Sequence, residues 1–165
     1  MTGPDPREGV EELAQRLLDL CMVELVESTG GQPARGYLHP GASVPDYLGD
    51  GAGCDFAAVR VVDIAPQPGT WTPPCHADIF QVTLEVKVMR CYLDSDPRKT
   101  APDPLVLAGA TRVALDDAAA VRRALCAMPD RPHGDVARWR PEGPQGGAYS
   151  GITTVTFTGL DLPCC

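Results

Sequence analysis

Nothing in this 165-residue chain approaches the run of roughly 20 apolar residues that crosses a bilayer. The acidic N-terminal stretch also lacks the charged-then-apolar plan of a signal peptide. Synthesis and folding in a cytoplasm, with no membrane partner, are therefore expected. No basic patch or stripe is visible either. Net charge is −8, and residues 1–55 alone carry ten acids against three bases. A protein that grips nucleic acid normally shows such a patch. An acidic surface repels phosphates, which still permits contact with DNA that merely passes by.

The inventory of chemistry is equally short. The seven cysteines, Cys21, Cys54, Cys75, Cys91, Cys126, Cys164 and Cys165, contain no Cys-x-x-Cys pair. An odd count at irregular spacing in a reducing compartment predicts thiols and no disulfide framework. Cys75-His76 with Cys54 and Cys91 supplies donors that zinc prefers, but buried cysteine more often serves as a small core residue. The Cys164-Cys165 pair reads as part of a flexible end, residues 160–165. His39, His76 and His133 fall in loops with no Ser, Cys or acid arranged as a triad. Asp116 and Asp117 point to different sides of one helix. The glycine-rich run at 143–147 precedes a strand, whereas a phosphate-binding loop precedes a helix. The expectation is a protein with no catalytic residue, no cofactor and no metal site: not an enzyme.

What the chain does have is strand and helix periodicity. In Ile79–Cys91, IFQVTLEVKVMRC, apolar Phe80, Val82, Leu84, Val86 and Val88 alternate with Gln81, Thr83, Glu85 and Lys87. Period two predicts a strand with one face on a core and one toward water. Thirteen residues at about 3.3 Å each span roughly 43 Å, well beyond the usual strand of about 17–20 Å. Such a strand either bends or projects onto another molecule. Gln81, Thr83, Glu85, Lys87 and Met89 are then the candidate inter-subunit residues on its polar face.

The rest is read in chain order. Asp5-Pro6-Arg7-Glu8 caps a helix over about 6–26 whose apolar stripe is Val10, Leu13, Ala14, Leu17, Leu18 and Cys21. Glu24 sits awkwardly on that stripe. Residues 32–54, rich in Gly, Pro and Asp, form a long loop with at most one short strand. The segment FAAVRVVDI (56–64) is a second strand with central character, close enough to pair with the first as an antiparallel hairpin. Asp103-Pro104 caps a second helix over about 105–128, with Arg112 and Arg122 on its inner stripe. Residues 130–147 read as loop and 152–158 as a closing strand. The result is a single α+β domain over 1–165, order α-β-β-α-β, with two helices covering one face of a mainly antiparallel sheet.

The N-terminal helix, CDFAAVRV at 54–61, LEVKVMRC at 84–91, DAAAVRRALC at 117–126 and WRPEGPQGG at 139–147 together resemble head-to-tail joining proteins of tailed phages of high-GC bacteria. Within that group the element order is most similar to tail terminators. The resemblance implies a structural virion protein that forms a hexameric ring at the head–tail joint, assembled in the host cytoplasm. Its implied partners are copies of itself, the tail-tube protein, the head-completion (stopper) protein, and DNA that passes through the lumen without specific binding. Another connector (stopper or adaptor) or a minor tail protein is the nearest alternative. A small cytoplasmic cysteine or zinc enzyme is a different class, and it requires Cys54, Cys75 and Cys91 close together in space. A monomeric binding module requires a short, bent strand in place of Ile79–Cys91.

Overall fold

The computed structural model of the protein describes residues 6–45, 54–67, 79–91, 103–129, 137–145 and 148–162. These form helix α1 (Pro6–Glu24), a 3₁₀ turn (Leu25–Glu27), strands β1 (Arg35–Leu38), β2 (Phe56–Pro66) and β3 (Ile79–Cys91), helix α2 (Pro104–Ala127), and strands β4 (Arg138–Gln145) and β5 (Ala148–Asp161). The class is α+β, but the order is α-β-β-β-α-β-β, two strands more than the sequence reading. The Asp5 cap, Trp71, Cys75-His76, the polar loop at 94–99, His133 and Cys164-Cys165 lie outside the described residues. No helix among the described residues is long and apolar enough to cross a membrane.

The five strands form one mixed sheet in the order β1-β2-β3-β5-β4, and β1 alone runs parallel to its neighbour. Antiparallel pairing of β2 with β3 follows the expected hairpin, with Phe56 opposite Met89 and Ile64 opposite Val82. A bulge at Val62 offsets the register there. On its other side β3 pairs with β5 from Ile79 to Cys91. The strand length is therefore used inside the domain. Nothing of β3 projects, because both of its edges are filled by the chain's own strands.

Both helices pack on one sheet face. Val10, Leu13, Ala14, Leu17, Leu18 and Cys21 of α1 meet Ala57, Val59, Val82, Leu84, Val86 and Val88 in the main core. Fully burying a Leu or Val side chain stabilises by about 1.5–3 kcal/mol, so this layer dominates the stability. Asp103 caps α2 as expected, its side chain accepting from the Leu105 amide at 2.8 Å with Pro104 opening the helix. The inner stripe differs from the expected one. Ala114, Asp117, Ala120, Val121 and Ala124 are buried, while Arg112, Arg122, Leu105 and Leu115 face outward. Small residues at the contact let α2 approach closely. Glu24 is accommodated by an ion pair with Arg123 at 2.7 Å.

Within the loop expected at 32–54, the described residues 32–45 contribute β1 and then carry Val44 onto the other sheet face. There Val44 packs with Phe56, Ala58, Met89 and Ala148 in a second, smaller core. The second face is thus covered at this end, and the expectation of a face toward water is corrected there, while Asp63, Arg138 and Arg140 on the same side stay exposed.

Candidate functional site

The predicted inter-subunit residues lie on that second face. Met89 is 1% exposed, Lys87 4% and Glu85 6%. Gln81 and Thr83 keep partial exposure, and Thr83 shares a 3.0 Å hydroxyl contact with Thr156 of β5. The buried charged side chains are satisfied within the chain. Glu85 pairs with Arg60 at 2.7 Å and lies 3.8 Å from Arg140. Lys87 meets Glu142 at 3.1 Å and donates to the Val44 carbonyl at 3.2 Å. Together with Val44, Pro45, Met89 and Ser150, Lys87 and Glu142 line a cavity of about 270 Å³. The reading of a free polar face is therefore corrected for Glu85, Lys87 and Met89, while Gln81 and Thr83 stay partly open. Alternation marked the right side of the strand, but partners distant in sequence cover it. Replacing Lys87 or Met89 by an acid tests folding before it tests assembly.

On the helix face, Arg90 (3% exposed) closes a polar clasp. Its Nε donates to Asp117 Oδ2 at 2.8 Å and its Nη2 to Asp117 Oδ1 at 2.7 Å. The remaining donors reach the carbonyls of Gly30 and Gly31 at 3.1 and 2.8 Å, in the turn after α1. Ser28 completes the acid's contacts at 2.5 Å. Burial disfavours the charge on Arg90, but the hydrogen bonds and charge of Asp117, aided by Asp55, outweigh it and hold the guanidinium above its ordinary range. Next to the clasp, Thr29 donates to Asp116 through both its amide and its hydroxyl, which holds that exposed carboxyl below its usual range. A Cβ at Gly30 would lie 2.8 Å from both Arg90 Cζ and Val113 Cγ1. This arrangement binds three elements together, and its donors are consumed in doing so.

Cys54 and Cys91 are paired as a disulfide, with Cα atoms 5.3 Å apart. The expectation of thiols throughout is corrected for these two. They stand 37 positions apart in sequence, yet the β2–β3 register that sets Phe56 opposite Met89 brings them together. An Asp55 oxygen and both sulfurs lie within 4.8 Å of one another. Thiolates there would be zinc donors, but a disulfide offers none, and Asp55 already accepts from the Cys91 amide at 3.0 Å. Cys75, the third member of the zinc reading, lies outside the described residues. Cys21 is buried in the main core. Burial, helped by Glu24, pushes its thiol up to about 12, so it is a core residue and not a nucleophile.

What the sequence reading missed lies at the two edges of the sheet. β1 covers β2 only from Phe56 to Val59. Beyond it Val61, Val62 and Ile64 are 38%, 43% and 46% exposed. At the opposite edge, α2 stands away from β4 and leaves a groove of about 330 Å³ walled by Leu107, Ala110, Ala114, Leu115, Trp139 and Pro141. Gly151 of β5 lies against the Trp139 indole. A Cβ there would sit 2.5 Å from Trp139 Nε1, so the glycine lets the indole lie against the sheet. Pro141 and Pro144 were a readable signal for this edge, since proline inside a sheet is confined to edge strands and bulges.

No family model and no curated protein matches the chain.

Proposed function

We propose that this chain is a non-enzymatic assembly subunit of the head-to-tail joint of a tailed phage, a tail-terminator-like protein that closes into a ring, sixfold by resemblance, around passing DNA. One observation carries the reading: two unlike apolar surfaces stand at opposite edges of one sheet, uncovered among the described residues. The first is the bare half of β2 with Val61, Val62 and Ile64, and the second is the α2–β4 groove. Scattered exposed apolar residues are ordinary, but contiguous apolar grooves and edges mark contact sites. Unlike surfaces that meet head to tail generate closed rings when the rotation closes. The net charge of −8 suits a lumen that does not hold DNA, because strong phosphate binding needs clustered Lys and Arg. Within this reading the neighbours above and below are a tail-tube protein and a head-completion protein.

The experiment is to locate the protein and measure its assembly. Particles carrying a tagged copy should show the label at the head–tail joint, in a ring-shaped layer, by electron microscopy. The purified protein should gain mass in steps toward one closed oligomer as concentration rises. A protein that stays monomeric and occurs in no ring-shaped layer of a virion refutes the proposal.

A further inference from the structure

We propose that the ring contact is made by the bare β2 edge of one copy, residues 61–64, docking on the β4 edge and the α2–β4 groove of the next copy. This inference rests on the ring reading above and names the contact that closes it. The partner is a second copy of this chain, and the argument is that the two edges match face by face.

Val61 stands opposite Leu84 and Ile64 opposite Val82, which places both on the helix side of the sheet. Trp139 stands opposite Thr153 and Pro141 opposite Gly151, and those residues stand opposite Val86 and Val88, so they too are on the helix side. On the reverse side of β2, Asp63 stands opposite Thr83. On the reverse side of β4, Arg138 stands opposite Thr154 and Arg140 opposite Ile152, themselves opposite Glu85 and Lys87. When two such sheets meet edge to edge with their helix layers on the same side, branched apolar side chains face the groove. On the other side Asp63 faces two exposed arginines. Apolar matches apolar and charge matches charge in a single orientation.

The two edges also differ in how they are protected. Proteins blunt exposed edges with proline, charge or bulges. Pro141 and Pro144 interrupt β4, which leaves little of it for a backbone ladder and makes its contribution chiefly side chains and the groove. The β2 edge carries one bulge and, between Val61 and Ala65, one charge. It is the more open of the two. Pairing of β2 with β2 about a twofold axis would need Arg60 as partner for Asp63, but Arg60 is 2.7 Å from Glu85 with only 13% of its side chain exposed, whereas Arg140, 3.8 Å from the same acid, keeps 59% exposed. It would also leave the groove empty.

The test uses Asp63→Arg and the Arg138→Asp/Arg140→Asp pair, all at exposed positions, with thermal melts to verify folding. Assembly is read as mass across a concentration series and as incorporation into the ring-shaped layer of particles. Each variant alone should raise the concentration for half-assembly by about tenfold or more, since like charges brought together across an interface cost several kcal/mol. An equal mixture of the two variants should assemble again, because every contact then joins opposite charges. Val62→Asp, at the bulge, should block assembly with no rescue. Rings from all variants at wild-type concentrations overturn the contact and leave the ring reading standing. Failure of the mixture to assemble also overturns it. A twofold dimer lost with Asp63→Arg but indifferent to the β4 variants would mean that β2 pairs with β2, and would overturn it as well. Wild-type protein found in no ring refutes the underlying reading instead.

Discussion

Removing the carboxylate of the clasp is the sharpest test of how this fold is held together. Arg90 is 3% exposed, and in Asp117→Ala its guanidinium loses both short bonds to the acid. Ser28 loses its acceptor at the same time. Removing one partner of a buried ion pair costs about 3–5 kcal/mol, because the other charge is stranded away from water. A domain of this kind is stable by only about 5–15 kcal/mol in total. At roughly 2–4 °C per kcal/mol for a chain of this length, the melting temperature should fall by about 6–20 °C. The double replacement Arg90→Met/Asp117→Leu removes both charges and leaves unpaired chiefly the carbonyls of Gly30 and Gly31 and the Ser28 hydroxyl. It should cost less than the single change, about 1–3 kcal/mol. Urea unfolding of wild type, both single variants and the double variant gives the coupling directly. Arg90→Lys should behave like a loss, since an ammonium cannot reproduce the two parallel bonds. Asp117→Ala within 1 kcal/mol of wild type, or additive single effects, would refute the clasp as a stabilising unit.

Two further predictions concern sulfur. With the Cys54–Cys91 bridge closing a separation of 37 residues, reduction should lower stability by at most about 3–4 kcal/mol on the loop-entropy scale. Melts with and without reductant should differ for wild type and coincide for Cys54→Ser/Cys91→Ser; equal melts for wild type would count against the bridge. Alkylation of the folded protein followed by peptide mass mapping should modify the exposed Cys126 thiol within minutes. The Cys21 peptide should stay unmodified until denaturant is added, because that thiol is buried and pushed up to about 12. Early labelling of Cys21 would show that the α1 face opens.

Much of the fold was readable because its signals are local. Asp103-Pro104 fixed the start of α2, and the 3.6-residue stripe of α1 matched its buried face almost residue for residue. The alternation in β3 named the side chains that meet the helices. The failures share one cause, which is contacts made between residues far apart in the chain. β1 and β4 lie in stretches whose composition says loop, and they become strands only because a neighbouring strand supplies the ladder. Arg35 registers with Phe56 and Arg138 with Thr154. In β4, Gly143 adopts φ 90°, a left-handed conformation that glycine tolerates. The buried stripe of α2 is built from three alanines, an aspartate and Val121, so in its first half hydrophobicity pointed to the wrong face. Of the candidate site, the polar residues of β3 were identifiable and their burial was not. Val61, Val62 and Ile64 read as core because nothing local shows that β1 stops at Leu38.

Lys87 separates a role inside the fold from a role between subunits. The residue is 4% exposed, and its ammonium lies 3.1 Å from Glu142 and 3.2 Å from the Val44 carbonyl. In Lys87→Met the apolar stem is kept. The freed Glu142 carboxylate, with 46% of its side chain exposed, can return to water. The cost should then be small, about 0–1.5 kcal/mol, chiefly the Val44 carbonyl left without this donor. Lys87→Glu puts a carboxylate beside Glu142 in the same covered space, adding like-charge repulsion to the desolvation of an unpaired ion. That should cost about 3 kcal/mol or more. If this face belongs to the domain interior, Lys87→Glu lowers the melting temperature of the dilute monomer, and Lys87→Met assembles like wild type. A monomer that melts normally with Lys87→Glu but fails to assemble would place the face between subunits. It would also mean that Val44 and its loop leave the sheet when the ring forms.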